Sequence, residues 1–186
     1  MVQSPAKLIT LDEFLQLPET KPASEFINGE IIQKPMPLGK HSRLQGELLN
    51  AISVLEKSKI AYALPELRCV FNRRAIVPDI AVFTCDRIPI DANGEIEDVF
   101  NAAPDWMIEI LSRDQNQTKV TAKILYALKH GTQMGWLIDP AAKAILTYAP
   151  QQQPEIFENA IDSLPVPTFA QTVRLTIGEI FGWLKV

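Results

Sequence analysis

The chain has 186 residues, of which 47% are hydrophobic and 22% charged, and its formal net charge is −4. That length suffices to bury a core in one domain, and the balance is ordinary for a globular protein, which sets aside long disorder. The acidic surplus argues against a broadly basic nucleic-acid binder, but not against an enzyme whose acidic site gains positive charge with a metal.

Taken in chain order, Thr10 is the expected N-cap of a short amphipathic helix that Pro18 ends. Glu25 to Ile32 holds two β-prone runs separated by Asn28-Gly29, a hairpin signal, and Pro35 and Pro37 stop the second strand. His41 to Lys57 predicts a helix, because Leu44, Leu48, Leu49, Ile52 and Leu55 recur on one face. Ala61 to Asn72 and Ile76 to Thr84 read as strands joined by the turn Asn72-Arg73-Arg74, and residues 86–105 as a polar loop with turn chemistry at Asp91-Ala92-Asn93-Gly94.

Trp106 to Leu111 reads as a strand interrupted only by Glu109, followed by a helix over Gln117 to His130 that Gly131 closes. Gly135 to Pro140 and Ala144 to Tyr148 predict a strand and its hairpin partner, residues 150–167 a Gln- and Pro-rich loop, and Thr176 to Leu184 a short closing helix. This order implies an α/β fold with a central mixed sheet flanked by helices. The expected organisation is one domain over 1–186, with its core at about 10–148 and a strand/helix extension over 149–186. The N-terminus lacks a secretion-signal pattern, no apolar run is long enough to span a bilayer, and Cys69 and Cys85 sit in apolar contexts without a CxxC motif. A cytoplasmic protein with buried, reduced cysteines and no membrane partner is the expectation.

Chemistry concentrates where charge interrupts apolar strands. Val77-Pro78-Asp79-Ile80-Ala81-Val82 and Trp106-Met107-Ile108-Glu109-Ile110-Leu111 each place a carboxylate among apolar neighbours. Buried carboxylates need cations or donors, and a hard divalent ion is a natural partner if adjacent strands bring two together. Taken singly, each is more simply an ion-pair partner of Arg or Lys. Downstream, Lys119 and Lys123 lie one helical turn apart, where a cation returning over the strands would meet a phosphate or an attacking water, unless both are solvated helix charges.

Pro78-Asp79, then Glu109-Ile110-Leu111-Ser112, then a lysine on the next helix resembles the PD-(D/E)XK nuclease superfamily. More closely, the chain resembles the large bacterial family of restriction-endonuclease-like proteins long carried as a domain of unknown function. Further matches in order are Glu25-Phe26-Ile27-Asn28-Gly29-Glu30, His41 opening a helix, and Gly135-Trp136-Leu137-Ile138-Asp139-Pro140, so the likeness runs from about Thr10 to Tyr148. The resemblance implies a restriction-endonuclease-like fold and a metal-dependent endonuclease that hydrolyses phosphodiesters in nucleic acid, DNA in the first instance.

It also implies Mg²⁺ or Mn²⁺ held by Asp79, Glu109 and the main-chain carbonyl of Ile110, with Asp79, Glu109, Lys123 and His41 as catalytic residues. Glu25, Glu30 and Lys119 are weaker candidates. The orthodox motif places its lysine two residues after the glutamate, where this chain has Leu111, so activity would depend on the displaced Lys123. Arg113, where the family often has proline, is either a phosphate contact or, more simply, an ordinary loop arginine. A homodimer is expected if both strands of a duplex are cut. The alternatives are a catalytically inactive nuclease-fold protein that binds nucleic acid, and an oligomeric α/β interaction module whose carboxylates are salt-bridged.

Overall fold

The computed structural model of the chain describes residues 9–186. Residues 1–8, where the expected absence of a secretion signal falls, lie outside the described residues. Thr10 caps α1 (Leu11–Leu15) through a reciprocal box with Glu13, whose side chain returns to the Thr10 N–H. The predicted hairpin forms as β1 (Ser24–Ile27) and β2 (Glu30–Gln33), with Asn28 and Gly29 both at positive φ as a tight two-residue turn demands. Helix α2 (Gly39–Lys57) then buries Leu44, Leu48, Ile52 and Leu55 along the predicted face. Each such side chain withdrawn from water contributes roughly 1.5–3 kcal/mol.

The next two predicted strands each break in two. Ala61 to Asn72 divides into β3 (Ala61–Pro65) and β4 (Cys69–Phe71), and residues 76–84 divide between β5 (Arg74–Ile76) and β6 (Ile80–Thr84). Both breaks have local causes. Glu66 adopts a left-handed φ of 49° that turns the chain away from β3, and Pro78 has no N–H with which to continue a ladder. The chain thereby moves between two sheets: a four-stranded one ordered β2-β1-β5-β4 and a six-stranded one that contains β3 and β6.

The larger sheet is completed by β7 (Trp106–Ile110), β8 (Met134–Asp139), β9 (Ala144–Tyr148) and β10 (Glu155–Phe157), in the order β10-β9-β8-β7-β6-β3. Strands β7 and β8 are parallel and the other neighbours antiparallel, so the sheet is mixed as expected. A parallel pair needs a crossover. Helix α3 (Gln117–Leu128) supplies it, ending two residues before the predicted His130 while Gly131 takes its positive φ just beyond. The segment read as a loop over 150–167 contains β10, an edge strand too short to show an alternating pattern. Thr176 caps α4 (Ile177–Gly182) with a second box, to Glu179.

Side-chain alternation on β7 and β8 sorts the core into two layers. Trp106, Ile108, Ile110, Trp136 and Ile138 pack with α2 and α4, and the two indoles meet edge to face at 4.8 Å. Met107 and Leu137 face the other way, onto Val120, Ile124 and Ala127 of α3. Gly135 shares that face, where a Cβ would stand 2.2 Å from the Ile124 Cγ2. Glu109, with the parity of Met107, therefore points at α3. Cys69 is buried and Cys85 half-buried, and both are free thiols. Among the described residues no helix is long and apolar enough to cross a membrane.

Candidate active site

Asp79 lies in the crossing between β5 and β6, and not inside a strand as its apolar flanks suggest, yet it is only 2% exposed. Its main-chain carbonyl is fixed by the Gln45 side-chain amide at 2.8 Å and the Glu66 N–H at 3.2 Å. One carboxylate oxygen, Oδ2, accepts the Ile110 N–H at 2.7 Å. The other, Oδ1, accepts the Lys34 ammonium at 2.6 Å, and the His41 Nε2 stands 3.4 Å away. Burial alone would push this carboxyl up, but the Lys34 and His41 charges and hydrogen bonds more than offset it and hold it well below the usual carboxylate range.

Glu109, Lys123 and Glu25 form the adjoining half. On α3 the residues Val120, Lys123, Ile124 and Ala127 face the sheet, so the helical stripe that packs the core carries one lysine with it. The Lys123 ammonium reaches the Glu109 Oε1 at 2.9 Å and the Glu25 Oε1 at 2.8 Å. Glu25 also accepts the Val77 N–H at 2.8 Å, which ties β1 to the Asp79 crossing. Burial pushes the Glu109 carboxyl up to about 7 despite Lys123, with Asp79 adding repulsion. Burial works against the Lys123 ammonium as well, but Glu109 and Glu25 raise it above the ordinary lysine value. The two shifts pull in opposite senses because one lysine serves two carboxylates. The lysine is amply compensated and Glu109 is not. In keeping with that, Glu109 Oε1 has the ion pair by distance but no directed hydrogen bond.

The structure thus brings together Asp79, Glu109, Lys123, His41 and Glu25, all buried, and Ile110 joins them through its N–H. It does not bring in the weaker candidates Glu30 and Lys119, which are exposed. Glu30 shares the hairpin face of Glu25 but sits at its turn end, two residues along the strand. Lys119 lies one turn before Lys123, roughly 6 Å along the axis toward the helix start. Sequence reasoning missed Lys34. Its signal was parity: Glu25 pairs with Ile32, and Lys34, bonded through its N–H to the Ala23 carbonyl, continues the same face.

The cluster opens toward solvent through His41. This histidine also approaches the Ser112 hydroxyl at 3.4 Å, and both residues line a cleft of about 590 Å³ whose walls include Lys40, Arg113, Leu38 and Pro140. Counted without the histidine, three carboxyl groups face two ammonium groups, so one carboxyl lacks a cation of its own and Glu109 keeps its proton up to about 7. Among the described residues no three His, Cys, Asp or Glu side chains converge to cage a metal on their own. The oxygen donors gathered here are of the kind Mg²⁺ takes, one or two carboxylates with waters completing the shell.

The sequence model of the Uma2 family, described as "Putative restriction endonuclease", matches residues 11–178. The chain belongs to the Uma2 family. A crystal structure of an Anabaena variabilis protein, described as a putative nuclease belonging to DUF820, is 57% identical and superposes with a TM-score of 0.94. The alignment covers 95% of this chain and 99% of that one. The match spans every element that contributes to the charged cluster, and it identifies the sheet and its flanking helices as the restriction-endonuclease-like fold of this Uma2 chain. Among curated proteins none matches the chain.

Proposed function

We propose that the chain is a metal-dependent endonuclease of PD-(D/E)XK type that hydrolyses phosphodiester bonds in DNA. The observation that carries the reading is the meeting of Asp79, Glu109 and Lys123, from a sheet crossing, a central strand and a helix, beside a cleft that His41 connects to them. Membership of the Uma2 family and the Anabaena variabilis relative support it.

Asp79 Oδ1, Glu109 and the main-chain carbonyl of Ile110 would hold Mg²⁺ or Mn²⁺. When bound, such an ion lowers the pKa of a coordinated water and neutralises phosphate charge. The chain's own residues set the rest. Lys123, held in its ammonium form by Glu109 and Glu25, donates to the attacking water or to a non-bridging phosphate oxygen and is not the base. Glu25 fixes Lys123 and, through the Val77 N–H, the Asp79 crossing. His41, between Asp79 and the cleft, is placed to give a proton to the departing alkoxide as the P–O bond breaks. Lys40 and Arg113 on the cleft wall meet flanking phosphates.

The test is cleavage of plasmid and single-stranded DNA with Mg²⁺ or Mn²⁺ by wild type, Asp79→Ala, Glu109→Ala and Lys123→Ala. Loss of activity in all three variants is expected, and equal cleavage by all four proteins would sink the assignment. A second reading, a nuclease fold that binds nucleic acid without cutting it, draws on Leu111 at the orthodox lysine position and on the lysine already seated against Asp79. Binding to DNA without cleavage under every metal condition would favour it.

A further inference from the structure

We propose that Lys34 is a resident cation at the candidate metal site, which a divalent metal must displace from Asp79 in order to bind. The inference rests on the metal-dependent reading above and adds to it a residue that competes with the metal.

The two oxygens of Asp79 face different ways. Oδ2 accepts the Ile110 N–H, an anchor within the sheet, and Oδ1, on the side of His41, is the oxygen placed for an incoming cation. That oxygen holds the Lys34 Nζ at 2.6 Å, and the ammonium makes its second bond to the Val77 carbonyl at 2.8 Å. The Lys34 side chain is 7% exposed, so this is a buried, doubly bonded charge and not a surface lysine resting on an acid. A dication on the same oxygen would stand within a few ångströms of a buried ammonium, where repulsion is weakly screened.

The two lysines of the site differ in what they do next. Lys123 bridges Glu109 and Glu25, so losing one carboxylate to a metal leaves it another. Among the described residues, Asp79 is the one carboxylate within ion-pairing distance of Lys34. With that oxygen taken, Lys34 would keep only the Val77 carbonyl, too little for a buried charge. The route out is short. Lys34 is the residue directly after β2, and the segment that follows it toward α2 has Met36 and Leu38 exposed at 66% and 57%. Rotation about the side-chain bonds carries the ammonium toward solvent while the Lys34 N–H stays on the Ala23 carbonyl.

Mn²⁺ titration of the full chain by calorimetry or electron paramagnetic resonance tests this without any turnover. Breaking a charge-assisted, buried hydrogen bond predicts that Lys34→Met binds Mn²⁺ about tenfold tighter than wild type, or more. A variant that had merely lost structure would bind more weakly. Equal or weaker binding by Lys34→Met overturns the inference and leaves the metal reading standing. Absence of Mn²⁺ binding in both proteins overturns the two together. A measurement on wild type alone guards against a variant that does not fold. In brief acetylation with acetic anhydride, read by peptide mass spectrometry, Lys34 modification rises several-fold on adding Mn²⁺ while exposed Lys119 stays constant. Lys34 labelling that is unchanged at saturating Mn²⁺ refutes displacement.

Discussion

Glu109 should make the metal-free protein less stable as pH rises through neutrality. Its carboxyl sits at about 7 in the folded chain against 4.5 for the ordinary group, because burial, and then Asp79, outweigh Lys123. Below pH 4.5 the group is protonated whether the chain is folded or not, and it exerts no pH dependence. Between that value and about 7 the unfolded chain has released the proton while the folded one keeps it. The unfolded state then binds fewer protons, so stability falls with pH, and it levels off once the folded carboxyl has ionised as well. At 1.36 kcal/mol for each pH unit between the two values, the fall is about 3 kcal/mol. The other resolved carboxyl and lysine shifts act elsewhere. Asp79, held low, contributes stability that is lost only in stronger acid, and Lys123, held high, contributes stability that is lost only in alkali. Urea unfolding in EDTA at half-unit steps from pH 4.5 to 8, for wild type and Glu109→Gln, isolates the effect as the difference between the two curves. Wild type should lose about 3 kcal/mol relative to the variant across that span. Curves that stay parallel to within 1 kcal/mol would refute the reasoning, since they would mean that Lys123 compensates Glu109 fully.

Lys123→Met should destabilise the protein by about 3–5 kcal/mol in thermal or urea unfolding, because Glu25 and Glu109 would face each other without their shared cation. Lys119→Met, on the exposed surface of the same helix, should stay within about 0.5 kcal/mol of wild type. Gly135→Ala should cost roughly 1–3 kcal/mol, since its Cβ meets the Ile124 Cγ2 and α3 must shift off β8. In fluorescence anisotropy with labelled DNA, Lys40→Ala and Arg113→Ala should each lower the magnitude of the log–log salt slope of binding by about one, as expected for cleft-wall phosphate contacts.

Much of this was readable from the chain because periodicity and capping act locally. The α2 stripe, the Asn28-Gly29 hairpin and the Thr10 cap need no distant partner to form. The apolar flanks of Asp79 and Glu109 also signalled burial correctly. What the flanks did not signal was the break at Pro78, because a strand run and a crossing between sheets share the same apolar composition. Residues that meet across the fold were harder still. Glu25 and Lys123 are 98 positions apart and touch only once the hairpin of one sheet closes over the helix of the other. Lys34 and Asp79 are 45 apart, and nothing local distinguishes Lys34 from a strand-end lysine in water. Lys119 and Lys123 look alike in the sequence. They part because Lys123 stands in the stripe of Val120, Ile124 and Ala127 that packs against the sheet, and Lys119 lies outside that stripe.

The chain carries its own control for reading buried carboxylates as functional. Asp105, immediately before β7, is as buried as Asp79, at 2% exposure. Its oxygens accept the Thr84 N–H at 2.9 Å, the Thr84 hydroxyl at 3.2 Å, the Arg87 guanidinium at 2.6 Å and the Gln133 amide at 3.1 Å. Those donors come from the end of β6, the short 3-10 turn after it and the loop before β8, so the carboxylate stitches the sheet together and has little left to offer. Glu109 lies four residues further along, still in the same sheet, with a shared lysine, a carboxyl pushed up to about 7 and an Oε1 without a directed donor. A fold that wanted only stability would place an apolar side chain there, as buried ion pairs are often no better than well-packed hydrophobic replacements. Burial is common to the two acids, and incomplete satisfaction is not. It is the shortfall of donors at Glu109, more than its burial, that separates this acid from one that only stitches the sheet together.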